Sequence, residues 1–111
     1  MYVNTHLRHI SHLRGLETQI QVWAGNYFNL ADKENLQLDV YVTKIAPRTE
    51  FHGPMFECHI TAKLSWLHKT MFAKLVDEDF WAAYTGCAAR VYHQLEKEIR
   101  RRREGVYDKA Y

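Results

Sequence analysis

Two stretches of the chain alternate strictly between apolar and polar residues, which is typical of strands buried on one face. They cover residues 36–45 and 55–65. Residues 70–76 predict a further strand, and residues 1–10 predict a first one, in which Val3, Thr5 and Leu7 share a face. The apolar positions of the two alternating stretches are Leu38, Val40 and Val42 in the first and Phe56, Cys58, Ile60, Ala62 and Leu64 in the second.

Two other stretches repeat their apolar residues every three or four positions, as an amphipathic helix does. The first follows Ser11, a residue type that favours helix N-caps. The second runs from about Asp77 to Glu104, with acidic residues in or before its first turn and arginines in its last turns, where both charges suit the helix dipole. The apolar stripes are Leu13, Leu16, Ile20, Trp23 and Tyr27 in the first helix and Phe80, Tyr84, Cys87, Val91, Leu95 and Ile99 in the second.

The predicted order of elements is β-α-β-β-β-α, an α+β fold. Two helices packed on one face of a four-stranded, mostly antiparallel sheet bury both helical stripes. The other sheet face is then wet and polar. We expect residues 1–111 to form a single domain, with a basic C-terminal tail from about residue 100 that frays after residue 104.

The composition is that of an ordinary globular domain. It is 47% apolar and 25% charged, as in ordinary globular domains. No apolar run approaches the roughly 20 residues of a membrane span, and the N-terminus lacks the apolar core of a signal peptide. Cys58 and Cys87 lie within apolar patterns, which favours two reduced core thiols over a disulfide or a metal pair. We therefore expect a cytoplasmic protein.

Catalytic motifs are absent from the sequence. It contains no Gly-rich phosphate loop, GxSxG, HExxH or CxxC. The carboxylates at residues 77–79 are explained by the helix start that they flank. His6, His9 and His12 leave a metal site as an alternative, but no second ligand cluster follows them. We expect no catalytic residue, no metal, no cofactor and no small-molecule substrate.

Positive charge is concentrated at the C-terminal end of the chain. Residues 1–89 hold 8 Lys and Arg against 9 Asp and Glu, whereas residues 90–111 hold 7 against 4. Such asymmetry indicates an anionic partner. Arg90, Lys97 and Arg101 share one side of the second helix, and Arg100 and Arg103 continue the basic surface around its end.

This helix would be about 42 Å long, against about 33 Å for a ten-residue strand, so its arginine end should project past the sheet. Guanidinium groups placed there suit bidentate phosphate contacts. The alternative is a solvated helix end, in which Glu96, Glu98 and Glu104 supply local ion pairs.

The polar sheet face predicts a second basic group. Lys63 and His59 point outward on the third strand, Lys74 joins them from the fourth, and Tyr41 and Phe72 are aromatic neighbours able to stack on bases or ribose. Ordinary surface residues are the alternative interpretation. The full set of candidate RNA-binding residues is Arg90, Lys97, Arg100, Arg101, Arg103, Lys63, Lys74, Lys44 and Arg14.

The second helix also resembles a known family. The run Glu78-Asp79-Phe80-Trp81-Ala82-Ala83-Tyr84, continued by Arg90, Gln94 and Leu95, is similar to the last helix of the ribosome hibernation promoting factors, in the short form of that family. The resemblance implies a stress or stationary-phase protein that binds the rRNA of the small ribosomal subunit in the tRNA and mRNA channel and silences translation. It also implies the same order of elements.

Two features depart from that family's pattern. The first helix has Arg14 as its only basic residue, and the loop over residues 46–55 is longer than usual. A non-catalytic binding module that acts by protein–protein contact, with a homodimer through the polar sheet face as one form, therefore stays open as the second hypothesis. A small enzyme is the third.

Overall fold

Six elements follow one another in the predicted order. A computed structural model describes residues 2–10, 15–29, 35–45 and 53–104. The sequence predictions for residues 11–14, for the loop over residues 46–52 and for the tail after residue 104 lie outside the described part. The elements are β1 (Tyr2–Arg8), α1 (Leu16–Tyr27), β2 (Gln37–Ile45), β3 (Met55–Lys63), β4 (Met71–Asp77) and α2 (Phe80–Arg103).

The strands form one mixed sheet in the order β1-β2-β3-β4. β1 and β2 are parallel, while β2–β3 and β3–β4 are antiparallel. The parallel pair follows from the chain order, because α1 returns the chain to the end of the sheet where β1 began. The predicted α+β class and mostly antiparallel sheet are confirmed.

One face of the sheet carries the core, as the alternation of β2 and β3 predicts. Its positions are almost fully shielded from solvent, and both helices pack against them. Neither described helix combines the length and the apolar character needed to cross a bilayer. The buried strand residues are Leu38, Val40, Val42, Cys58, Ile60, Ala62, Met71 and Ala73.

The stripe of α2 is buried at every predicted position, from Phe80 to Ile99. Tyr84 joins the two helices, since its hydroxyl donates a hydrogen bond to the backbone carbonyl of Ile20 at 2.8 Å. Trp81 contacts the Tyr84 ring but keeps 36% of its surface exposed, so it lies at the rim of the core.

The helix starts differ from the sequence prediction. α1 begins at Leu16 rather than after Ser11, and its N-cap is Gly15 in the left-handed conformation, with φ of 77°. Glycine adopts this conformation without a steric penalty. α2 begins at Phe80 rather than Asp77, because Asp77 still belongs to β4 and its carboxylate accepts the backbone N–H of Asp79 at 2.8 Å.

Both cysteines lie in the core as free thiols, as predicted. The Cys87 thiol donates to the carbonyl of Ala73 at 3.2 Å. The hydrogen bond with Cys87, together with burial, raises the pKa of the Cys58 thiol far above its usual range. The same hydrogen bond lowers the pKa of the Cys87 thiol. Cys58 therefore stays protonated and behaves as a small apolar side chain.

Candidate nucleic-acid interface

A buried carboxylate organises the C-terminal end of α2. Glu98 is 1% exposed, and its Oε1 atom lies 3.0 Å from Lys69 Nζ and 3.5 Å from Arg101 Nη1. A buried charge is costly unless oppositely charged groups compensate it. Lys69 and Arg101 are therefore committed in part to the fold, although both side chains keep a solvent-exposed portion.

The chain between β3 and β4 packs against this helix end. Arg102 places its guanidinium carbon 4.6 Å from the centre of the Trp66 ring, a cation–π contact. Together with the Lys69–Glu98 pair, this contact holds the end of α2 against the sheet. Arg102 therefore has a tertiary partner in Trp66, whereas Arg101 pairs with Glu98 within its own helix, so neither is a purely solvated member of the cluster.

Three cations of α2 remain directed to solvent. Lys97, Arg100 and Arg103 are exposed and follow one another at intervals of three residues, so they are neighbours on the helix surface. Within the described part of the chain, no ion pair joins Arg100 or Arg103 to another residue. Their guanidinium forks are available for bidentate contacts with phosphate.

We call residues 96–104, which are the last turns of α2 and its C-cap Glu104, together with Lys69, the arginine end. It holds six cations and three carboxylates, which leaves a net charge of +3. A positive surface of this kind attracts polyanions and strengthens as the salt concentration falls.

Arg90, another candidate from the sequence, lies at the sheet edge instead. Its Nη1 donates to the backbone carbonyl of Lys74 at 3.4 Å. Gln94, one turn further along α2, forms two hydrogen bonds with the backbone of Phe72 in the same strand. These contacts connect α2 to the outer edge of β4, so Arg90 has a structural partner that the sequence did not reveal.

The sheet lysines are not one group. Lys63 and Lys74 both project from the face opposite the helices, here called the outer face, and Lys74 pairs with Glu57 at 3.1 Å. Lys44 has the parity of Val42 and so belongs to the helix-bearing face, where it is exposed near the end of β2. Lys44 is thereby separated from the other two. Arg14 lies outside the described residues.

The outer face also carries a row of rings. The register places His6 beside Tyr41 and Tyr41 beside His59. The ring centres of His6 and Tyr41 are 4.4 Å apart with an interplanar angle of 11°, and those of Tyr41 and His59 are 5.3 Å apart. Phe72 extends the row to β4, with its ring centre 4.4 Å from that of His59.

Sequence reasoning missed two residues of this face, His6 and Arg8. Both lie at alternate positions of β1 that point to the outer face, and both are exposed. His6 contacts Asp39 at 3.6 Å, and Asp39 also accepts a hydrogen bond from Asn4 at 3.2 Å. The alternation of β1 was a sufficient signal for their direction. Their neighbours became clear only from the parallel pairing with β2.

Fold and surface together define an α+β domain of β-α-β-β-β-α order with a basic helix end and an open, ring-bearing sheet face. No protein-family model and no curated protein matches the sequence. Among solved structures, the N-terminal domain of Protein Y from Thermus thermophilus matches with a TM-score of 0.64. The match covers 87% of this chain and 98% of that domain at 11% identity, so it shows a shared fold.

Proposed function

We propose that this chain is a cytoplasmic, ribosome-associated hibernation factor, which binds rRNA of the small subunit in the tRNA and mRNA channel and silences translation under stress or in stationary phase. It acts by binding, without a catalytic step. The fold similarity to the N-terminal domain of Protein Y, a ribosome-associated factor, supports a ribosome-related role at the level of the fold. The resemblance of α2 to the hibernation promoting factors supports the finer assignment.

The observation that carries the proposal is the arginine end. Arg100 and Arg103 present solvent-exposed guanidinium groups on a helix end that is held in place by the Glu98 contacts. Phosphate contacts by such groups release counterions, so affinity should fall steeply with salt. Because α1 over residues 16–27 contains no Lys or Arg, we assign the phosphate contacts to α2 and the sheet rather than to α1.

Ribosome pelleting over a series of salt concentrations tests this function. The Arg100→Gln, Arg103→Gln variant should bind ribosomes more weakly, and its plot of log affinity against log salt should be about two units shallower, at roughly 0.9 per lost phosphate contact. Circular dichroism should show an unchanged fold.

The matched control is Gln19→Glu, Gln21→Glu, which lowers the net charge by the same two units on the exposed surface of α1. It should pellet like the wild-type protein. Equal losses in both variants would indicate a general charge effect and remove the arginine end from the mechanism. A wild-type protein that stays in the supernatant at ~50 mM salt would refute ribosome binding, because electrostatic affinity is high at low salt.

A second function is favoured by the exposed apolar surface. Val22 is 59% exposed, and it lines a shallow depression with Trp23 and Trp81 on the helical side of the molecule. A neutral, partly apolar surface of this kind suits protein contact better than phosphate contact. A binding module that acts through another protein is therefore the second candidate.

A further inference from the structure

A groove crosses the outer face of the sheet beside the row of rings. Its volume is about 510 Å³, within the range of small-molecule and nucleotide sites. One wall consists of the His6, Tyr41 and His59 side chains. Thr43 and Glu57, paired in the register two residues further along the strands, lie on the other side.

The chemistry of this lining is that of a nucleotide site. The rings form an aromatic wall, of which Tyr41 exposes 39% of its surface and the His6 side chain 49%. Because His6 and Tyr41 stack on each other, a base contacts this wall at the ring edges or at the outer face of His6. Arg8 supplies an exposed guanidinium at the β1 end of the groove. Glu57 supplies a carboxylate that Lys74 holds in place at 3.1 Å.

We propose that this groove binds an unpaired nucleotide of an RNA strand, with the base against the ring row and the phosphate near Arg8. The inference rests on the proposed function in taking RNA as the ligand, and it adds a second contact to the arginine end. Base stacking on aromatic side chains and a cationic neighbour for the backbone are the usual means of binding single-stranded RNA.

Two observations favour a nucleotide within a strand over a free mononucleotide or a second copy of this chain. The groove lies on an open sheet face, and that face continues past it to the exposed side chains of Phe72 and Lys63, so an RNA strand can extend beyond the bound base. Charge also favours RNA, because Arg8, Lys63 and Lys74 outnumber Asp39 and Glu57 on this face.

Glu57 adds a base preference. An ionised carboxylate only accepts hydrogen bonds, so it favours bases with an exocyclic amino group, which cytosine, adenine and guanine have and uracil lacks. Uracil presents the O4 carbonyl at that position, and two acceptors repel each other. Cytidine and adenosine should therefore bind more tightly than uridine.

The test is fluorescence anisotropy with labelled rC8, rA8 and rU8 and with an RNA duplex of eight base pairs, all at low salt. The wild-type protein should prefer rC8 and rA8 to rU8 and to the duplex. The His6→Ala, Tyr41→Ala variant should lose roughly tenfold or more in octamer affinity, given the usual contribution of each stacked base. His6→Phe, Tyr41→Phe should retain binding because it keeps the rings.

Glu57→Gln tests the base preference, which should not change if Glu57 has only a structural role. The amide donates as well as accepts, so the preference for rC8 over rU8 should shrink while binding persists. His93→Ala, which removes an exposed histidine on the helical side of the molecule, should leave octamer affinity unchanged.

Several results would overturn the inference. Equal affinity for the octamers and the duplex would be one, and wild-type affinity in the His6→Ala, Tyr41→Ala variant would be another. Free CMP or AMP that binds as tightly as an octamer would indicate a mononucleotide site. A wild-type dimer that this variant converts to monomers would indicate a contact between two copies of the chain. If octamers fail to bind while ribosome pelleting still depends on Arg100 and Arg103, the groove alone is refuted. If octamers bind through Tyr41 but ribosomes do not pellet, the proposed function fails and the groove stands.

Discussion

Gln94 of α2 pairs with both backbone polar groups of Phe72 in β4. Its Nε2 donates to the Phe72 carbonyl at 2.8 Å, and its Oε1 accepts the Phe72 N–H at 3.3 Å. Since β4 is the last strand of the sheet, these groups have no neighbouring strand. The side-chain amide satisfies them as a further strand would, which protects this edge from pairing with another chain.

Loss of this edge contact should destabilise the protein. We expect Gln94→Ala to lower the free energy of unfolding by about 1 to 2 kcal/mol, because two hydrogen bonds of roughly 0.5 to 1.5 kcal/mol each are removed. Urea unfolding followed by circular dichroism measures this change. His93→Ala, at the adjacent exposed position, is the control and should stay within about 0.5 kcal/mol of wild type. Equal stability of the two variants would show that the amide pairing contributes nothing.

The buried carboxylate of Glu98 should make Arg101 behave differently from Arg100. Removing the cations at 3.0 and 3.5 Å with Lys69→Ala, Arg101→Ala should lower the free energy of unfolding by roughly 3 to 5 kcal/mol, the usual cost of removing a partner of a buried charge. Adding Glu98→Gln to this pair should restore part of the loss. Arg100→Ala, at an exposed site, should change thermal stability little. A double variant as stable as Arg100→Ala would contradict the role of Glu98.

Stability should decline in alkaline solution because of Tyr84. Burial, and to a smaller extent the neighbouring Cys58 and Cys87, raises the pKa of the Tyr84 hydroxyl above its ordinary value. The unfolded phenol releases its proton near pH 10, while the folded one retains it. The unfolded state then binds fewer protons than the native state, so the free energy of unfolding falls as the pH rises above about 10.

Tyr84→Phe isolates this contribution from those of other alkaline groups. At pH 7 the variant should be less stable by about 1 kcal/mol, because it lacks the hydrogen bond to Ile20. Between pH 9 and 11, as estimated from the ordinary phenol pKa of about 10, the difference between wild type and variant should narrow. Urea unfolding at each pH provides the measurement, and a constant difference would refute the pKa shift.

Local periodicity was enough to predict the elements and their buried sides. The alternation around Val40 and Ile60 indicates the buried side of two strands. The spacing of three to four residues from Phe80 to Ile99 indicates the buried side of α2. The start of α1 was misplaced, because the serine at position 11 is a better N-cap by residue type than Gly15. The left-handed backbone of Gly15 decided the boundary.

The sequence by itself determined the order of elements, the core-facing positions and the concentration of positive charge near the C-terminus, since all three depend on residues close together in the chain. Only the tertiary structure decided which cations are available. Arg101 is held by Glu98, whose burial also depends on the distant Lys69, whereas Arg100 has no such partner within the described residues. The ring row likewise required the parallel pairing that sets His6 beside Tyr41, 35 positions away. The Lys69–Glu98 and His6–Tyr41 contacts depend on how separate elements meet in space, and no periodicity within one element encodes them.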